Sequence, residues 1–455
     1  MDKAAPAIVP DREDRIEFHG LDATSHAPTW GQYGMWKVSR RIGRDSSILN
    51  QSTVVDLGAG IEPAAVDAAL VRVVARHESL RTCFTESDAE RPRADVLSAG
   101  AIAMNRYSYS GDGSVEDFVR LAAKVEGGAA FDPESDLPLR AAVVDCPDER
   151  RYLIVTCSHV AVDNYAMRLL GDEISTLLAS GADAEAPPTA MQPRDLAEIE
   201  LSERGTAENG RSMRHWRDAL MKAPANTGAP AESMLRSDRG TLFGAIDSSA
   251  IPKALTALTA KLSSTPSSVL LAAIGTAYAD VTGESRMFFQ VVCHNRRSEA
   301  ARRYIGCTVQ GGPFYLEARR TAFSDTVLAA EQAVMKAYIA ARYDSDARDA
   351  VLSEVESTRG VAMDIRAIIS DELSMRMPRV GTGADPAPIQ AAAIFKDGKV
   401  SHAVIDAAPS ERINFHLGGS ATEARVSILA DPDCFSPRQL ESMLNKIETV
   451  LVEAC

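Results

Sequence analysis

The sequence predicts a mixed α/β fold laid out twice along one chain, and three observations carry that prediction. At 455 residues the chain exceeds one ordinary core and implies two or three domain-sized units. Segments of helical period alternate with short runs rich in branched residues on both sides of a compositional break near residues 181–211. In each half an apolar run ends in polar residues: "RRYLIVT" leads into "CSHVAVDNYAMRLL" (157–170), and "RMFFQVV" leads into "CHN". No sequence repeat links the halves, so their shared grammar is the only sign of duplication.

Taken in order, the first helix is read over "EPAAVDAALVRVVARHESL", where Val66, Leu70, Val73 and Val74 recur on one face. A second opens at "GDGSVEDFVRLAAKV", with Ser114 and Asp117 at capping-box spacing. "LRAAVVD" and "RYLIVTC" read as two strands, and a helix begins near Asn164. Residues 181–211, dominated by Pro, Ala and charge, read as an exposed connection between an N-terminal lobe (1–180) and a C-terminal lobe (212–455). Beyond it, "IPKALTALTAKLSS" and "PSSVLLAAIGTAYADVTG" are helical, "RMFFQVVCHN" is a strand, and a long helix runs from Ser324 to about Tyr343. Later strands are "IRAIIS", "RINFHL" and "ARVSILA", and Ser436-Pro437 opens a final helix through Leu451.

With 45% hydrophobic and 25% charged residues the chain is globular. A net charge of -14 argues against nucleic-acid partners and anionic membrane surfaces. The seven cysteines (Cys83, Cys146, Cys157, Cys293, Cys307, Cys434, Cys455) form no C-x-x-C pair and suit a reducing compartment. "MDKAAPAIVPDREDRIEFHG" has no apolar signal core, and no run of about 18 apolar residues exists. The expectation is a soluble, cytoplasmic protein.

The polar residues after "RRYLIVT" call for a chemical reading, because a polar group buried without a partner is costly. In an extended strand neighbouring side chains point to opposite faces, so Ser158 and His159 would not form a nucleophile–base pair. Cys157 would share a face with His159 if the strand continued, yet Cys is commonly a small buried hydrophobe. No further His or Cys stands at metal-ligand spacing, so no metal is expected. A lone His at a strand end is ordinarily a satisfied core residue. Asp163, four residues on, is placed to face a buried cation.

These residues resemble the condensation domains of nonribosomal peptide synthetases, within the chloramphenicol acetyltransferase-like superfamily. The family signature H-H-x-x-x-D-G is matched by Ser158-His159-Val160-Ala161-Val162-Asp163-Asn164. "TWGQYGMW" (Thr29 to Trp36), "RHESLRTCF" (Arg76 to Phe84) and "FDPESDLPLRA" (Phe131 to Ala141) resemble the family's earlier motifs. "HNRR" (His294 to Arg297) and "YIGCTVQGGPF" (Tyr304 to Phe314) resemble those of its second half, in the family's order.

The resemblance implies two chloramphenicol acetyltransferase-like lobes in a V-shaped pseudo-dimer, with His159 in a tunnel between them. It implies a donor acyl thioester on the phosphopantetheine arm of an acyl or peptidyl carrier protein. The acceptor would be an amine or alcohol, free or carrier-bound, and no cofactor is expected to be bound. His159 would take the proton of the attacking nucleophile or orient it. Asp163 would pair with an arginine of the second lobe, mapped to Arg296, as a structural clamp. Ser158 replaces the first signature His, Asn164 replaces the Gly, and Gln310 stands where the family usually has Asn; all three are placed beside the tunnel or substrate. "HLGGSATEA" is similar to a carrier attachment motif, but it lies between two strand patterns and reads as a hairpin turn. No adenylation or carrier domain fits this length, so the expectation is a stand-alone condensation enzyme using a carrier on a separate chain. The alternatives are a coenzyme A-dependent acyltransferase and a non-catalytic recruitment domain.

Overall fold

The computed structural model describes residues 8–86, 91–111, 113–180, 191–228, 240–318, 322–377, 394–405 and 409–455. The chain divides into two compact units. One comprises the residues through Thr206 together with His294–Val309, and the other comprises Ala207–Cys293 with Gln310–Cys455.

The first unit contains β1 (Arg12–Phe18), β2 (Thr24–His26), α1 (Trp30–Ile42) and β3 (Gln51–Ala59). Then come α2 (Pro63–Arg76), β4 (Thr82–Thr85), β5 (Arg93–Val96) and β6 (Gly100–Ser108). Helix α3 (Val115–Gly127) precedes β7 (Leu139–Asp145), β8 (Arg150–Cys157), α4 (Asn164–Ser180) and α5 (Pro193–Leu201). The main sheet has the order β1-β6-β7-β8-β3, antiparallel except for the β6–β7 pair. A small sheet, β2-β5-β4, stands beside it.

Strands β7 and β8 are apolar on both faces because helices cover both. Ala141, Val143, Leu153, Val155 and Cys157 join the core that includes Val66, Leu70, Val73 and Val74 of α2 and Leu170 and Ile174 of α4. The alternate residues Ala142, Val144, Tyr152 and Ile154 pack with Val119 and Ala122 of α3. Each large aliphatic side chain buried this way contributes roughly 1.5–3 kcal/mol. Edge strand β1 carries charge ("REDRIEF"), so a search for apolar runs does not find it.

The second unit contains most of α6 (Glu203–Lys222), then β9 (Thr241–Ser248), α7 (Ala250–Leu262), α8 (Pro266–Thr282) and β10 (Arg286–Cys293). A short helix, α9 (Glu299–Arg303), falls within the 294–309 segment that belongs to the first unit. The second unit resumes with β11 (Gln310–Glu317), α10 (Phe323–Ile339), α11 (Ser345–Arg359), β12 (Ala367–Asp371) and α12 (Leu373–Arg376). It closes with β13 (Lys399–Ile405), β14 (Ile413–Gly419), β15 (Ala424–Ala430) and α13 (Pro437–Ala454). The seven-stranded sheet runs β11-β10-β12-β14-β15-β9-β13. β10, β12 and β14 are parallel, and the other pairs are antiparallel. The "LGGS" stretch is the β14–β15 hairpin, with Gly419 paired to Ala424.

Two sequence expectations change. The described part of the 181–211 connection is helical, because "DLAEIEL" has a helical period that buries Leu196 and Ala197. The long helix expected to reach Tyr343 ends at Ile339, and Asp344 caps a separate helix, α11. No described helix is long and apolar enough to cross a membrane.

Candidate active site

The site is built where β8 is forced to stop. The last ladder pair is Leu139–Cys157. The next residue on β7's side is Pro138, which has no N–H to donate, so pairing cannot continue past it. Ser158 N–H still donates to the Pro138 carbonyl (3.0 Å), and the Ser158 carbonyl accepts from Ala161 N–H (3.0 Å) and Val162 N–H (3.1 Å). These bonds close a turn, which buried Val160, Ala161 and Val162 anchor.

His159 sits on this turn, part-buried, with Nδ1 2.9 Å from the Val162 carbonyl oxygen. A carbonyl can only accept, so Nδ1 carries the proton and Nε2 keeps its lone pair. Burial pushes the imidazole below its ordinary value, against the opposing pull of Asp163 and the Val162 carbonyl. The ring is therefore neutral near pH 7, with Nε2 able to accept a proton.

Strand alternation predicts that Ser158 and His159 face apart. β8 ends one residue too early for that rule, and both residues line one cavity of about 10 Å³, with Ser39, Ser46, Asn50 and Phe131 among its walls. No hydrogen bond joins the two side chains, so they form no nucleophile–base pair. Cys157 shares no strand face with His159; it lies in the α2–α4 core, where burial pushes its thiol far up and keeps it protonated.

Asp163 is 1% exposed and caps α4: its Oδ1 accepts from Ala166 N–H (2.8 Å) and its carbonyl from Met167 N–H (2.9 Å). Arg296 Nη2 reaches Oδ1 at 2.8 Å and Oδ2 at 3.0 Å. Thr308 adds its N–H (3.0 Å) and hydroxyl (3.2 Å) to Oδ2. Burial would raise this carboxyl, but Arg296 and the Thr308 and Ala166 N–H groups outweigh it and hold the carboxyl below the usual range. Arg296 also donates to the carbonyls of Ala301 (2.8 Å), Tyr304 (2.5 Å) and Gly306 (2.9 Å), and lies 4.7 Å from the Tyr165 ring centroid. The guanidinium thus ties both the 294–309 segment and the start of α4 to one carboxylate.

The Asp163–Arg296 pair is present, but it does not join the second lobe to the first. Residues 294–309 belong to the first unit, so both partners lie inside it. Close backbone packing holds the segment there: a Cβ on Gly31 would stand 2.5 Å from the Cys307 carbonyl oxygen, and Ser79 Oγ donates to the Ile305 carbonyl. Asn164 opens α4 directly beside Asp163. Gln310 is the first residue of β11 in the second unit, and its amide is engaged with backbone. Nε2 donates to the Tyr343 carbonyl (2.8 Å) and Oε1 accepts from Tyr343 N–H (3.3 Å). Thr308 and Tyr165 complete the arrangement without having been singled out from sequence, although Thr308 lies in the "YIGCTVQGGPF" motif. Among the described residues no group of three or more His, Cys, Asp or Glu is placed to hold a metal ion.

The condensation-domain family model matches residues 27–347. The chain belongs to the condensation-domain family. It is 28% identical over 327 residues to the phosphinothricin tripeptide synthetase PhsB of Streptomyces viridochromogenes, a match covering 66% of this chain and 27% of that protein. Relatives of this kind are matched over only 3% to 27% of their own length. The same fold occurs in the structure reporting condensation domain-mediated chain release from the enacyloxin polyketide synthase. That match has a TM-score of 0.71 and 18% identity, over 95% of this chain and 84% of that one. It occurs also in the starter condensation domain of rhizomide synthetase RzmA in complex with C8-CoA, with a TM-score of 0.71 and 14% identity over 95% of each chain.

Proposed function

We propose that this chain forms an amide or ester bond by transferring an acyl group from a carrier-protein thioester to an amine or alcohol, with His159 as the base. The observation that carries this reading is the 2.9 Å contact from His159 Nδ1 to the Val162 carbonyl, which leaves Nε2 as an acceptor on a neutral ring. As the acceptor nitrogen or oxygen attacks the thioester carbon, its proton passes to Nε2. The carbon–sulfur bond then breaks, and the imidazolium returns that proton to the departing thiolate, so the ring ends neutral. General-base assistance of this kind is worth roughly 10²–10⁴-fold. Positioning of the two reactants contributes more, roughly 7–11 kcal/mol. Asp163 takes no proton in this scheme; held ionised by Arg296, it keeps α4 and the His159 turn in place.

The phosphopantetheine arm of an acyl or peptidyl carrier protein presents the donor. Coenzyme A carries the same pantetheine thioester, and the RzmA starter domain was solved with C8-CoA, so a coenzyme A donor is the second reading. The test incubates the protein with acyl-loaded carrier or acyl-coenzyme A and candidate amines and alcohols, followed by intact-protein mass spectrometry. Enzyme-dependent loss of acyl mass from the carrier, matched by product, supports the first reading; transfer only from coenzyme A supports the second. Carrier binding without transfer from either donor would leave the recruitment role, to which the departures at Ser158 and Asn164 would then be assigned.

A further inference from the structure

We propose that Arg168 and Arg302 form a cationic face that binds the phosphate at the far end of the donor's pantetheine arm. The proposal rests on the reading of the chain as an acyltransferase that takes a pantetheine thioester. The chain is acidic, with 63 Asp and Glu residues against 49 Lys and Arg. Exposed arginines such as Arg12, Arg217 and Arg425 each find a carboxylate. Arg168 and Arg302 are also exposed, yet among the described residues neither has a carboxylate within ion-pair distance.

The two arginines are brought to one end of α4 by Tyr165 and Arg296. Arg168 lies on α4 with its guanidinium 5.4 Å from the centroid of the Tyr165 ring, and Arg296 places its own 4.7 Å from that centroid. Arg296 also holds the carbonyls of Ala301 (2.8 Å) and Tyr304 (2.5 Å), which carries Arg302 to the same place. The span from His294 to Tyr304 contains four arginines and one glutamate. Glu299 pairs with Arg303 (2.6 Å) and Arg296 is committed to Asp163, so the uncompensated charge there is positive. All of these residues belong to the first unit.

This end of α4 follows directly on the His159 turn. A thioester carbon held beside His159 leaves the arm's phosphate at the opposite end, outside the cavity, where an exposed cation can meet it. A phosphate is anionic at working pH, and its oxygens suit the planar fork of a guanidinium. The same phosphate ends the arm whether a carrier or coenzyme A bears it, so the face serves either donor. Exposed pairs are screened by salt, so binding should weaken as ionic strength rises.

The test is a calorimetric titration comparing phosphopantetheine with pantetheine, which lacks only the phosphate. The unaltered protein should bind the phosphorylated compound about 10-fold more tightly in about 0.05 M salt, and less so in about 0.5 M. Combining Arg168→Gln with Arg302→Gln should erase the preference and leave pantetheine binding and melting temperature unchanged. Equal binding of the two compounds, no saturable binding of either, or a preference that survives in the double variant overturns the proposal. Turnover with acyl-pantetheine, acyl-coenzyme A and acyl-carrier separates the sources. The double variant should raise KM about 10-fold for both phosphate-bearing donors, with kcat and the acyl-pantetheine KM unchanged. A rise confined to the carrier would mean that the face reads the carrier's own surface, and overturns the phosphate assignment. If the unaltered protein transfers from none of the three donors, the acyltransferase reading fails by itself, and the titration still decides the phosphate site.

Discussion

His159 owes its chemical state to neighbours a few atoms away. The Val162 carbonyl holds the proton on Nδ1, and burial keeps the ring neutral. With His159 as the proposed base, the active form is the neutral one, so activity should stay level as pH falls from 7 and be lost only below about 6.5, the ordinary imidazole value. A pH–rate profile whose acid limb lies above that value would contradict the assignment. His159→Ala removes little that holds the fold and should melt within a degree or two of the parent, while turnover drops about 10²-fold or more. A fully active His159→Ala would make the ring a structural residue. Asp163 carries the opposite burden. Asp163→Ala strands the Arg296 guanidinium and uncaps α4, and should cost about 3–5 kcal/mol in chemical denaturation. Asp163→Asn keeps the shape and one acceptor, so it should cost less. A stable Asp163→Ala with only a slower rate would reverse the two roles.

Among the elements, the close approach of α1 to the 294–309 segment constrains the site. Thr29 and Gln32 form the capping box that starts α1, and buried Glu200 of α5 accepts from Trp30 N–H at 2.7 Å. Gly31 then faces the Cys307 carbonyl with no room for a methyl group. Gly31→Ala must displace the segment that carries Arg296 and Thr308, and we expect a loss of about 1–3 kcal/mol in denaturant midpoint measurements. Activity should fall with it, because the same segment steadies Asp163. Unchanged stability in Gly31→Ala would mean that the backbone yields there without cost. The turn after β8 depends on the same kind of local constraint, since Pro138 ends the ladder and sets where His159 begins.

Across the whole molecule, buried carboxylates in both units make stability depend on acid. Burial opposes ionisation of Asp163, Glu173 and Asp364. It is outweighed by Arg296 for the first, by His77 and Arg76 for the second, and by Arg366 and Arg412 for the third. Their folded-state values lie below those of the unfolded chain, so each contributes stability that is present above about pH 4 and lost as pH falls through the lowered value. Calorimetry should find Tm nearly level between pH 7 and 5 and falling below about pH 4, with a shallower fall in Asp163→Asn. An equally steep fall in that variant would remove Asp163 from the account.

Sequence by itself determined what depends on residue type and local period. The apolar face of α2 and the strand runs of β7 and β8 were legible, because burial stamps a repeat or an apolar run on a chain. The order of the motifs and the pairing of Asp163 with Arg296 were legible only through the resemblance to the condensation-domain family. Edge strands such as β1 were not legible, since a strand exposed to water needs no apolar run. Only the tertiary structure decided three further things. It packed 294–309 with the first unit, committed the Gln310 amide to Tyr343, and turned Ser158 and His159 toward one cavity. Each depends on which backbone approaches which from far along the chain: Cys307 against Gly31, Tyr343 beside Gln310, and Pro138 at the end of β8. Such approaches are set by packing of whole elements, and local sequence carries no period that reports them.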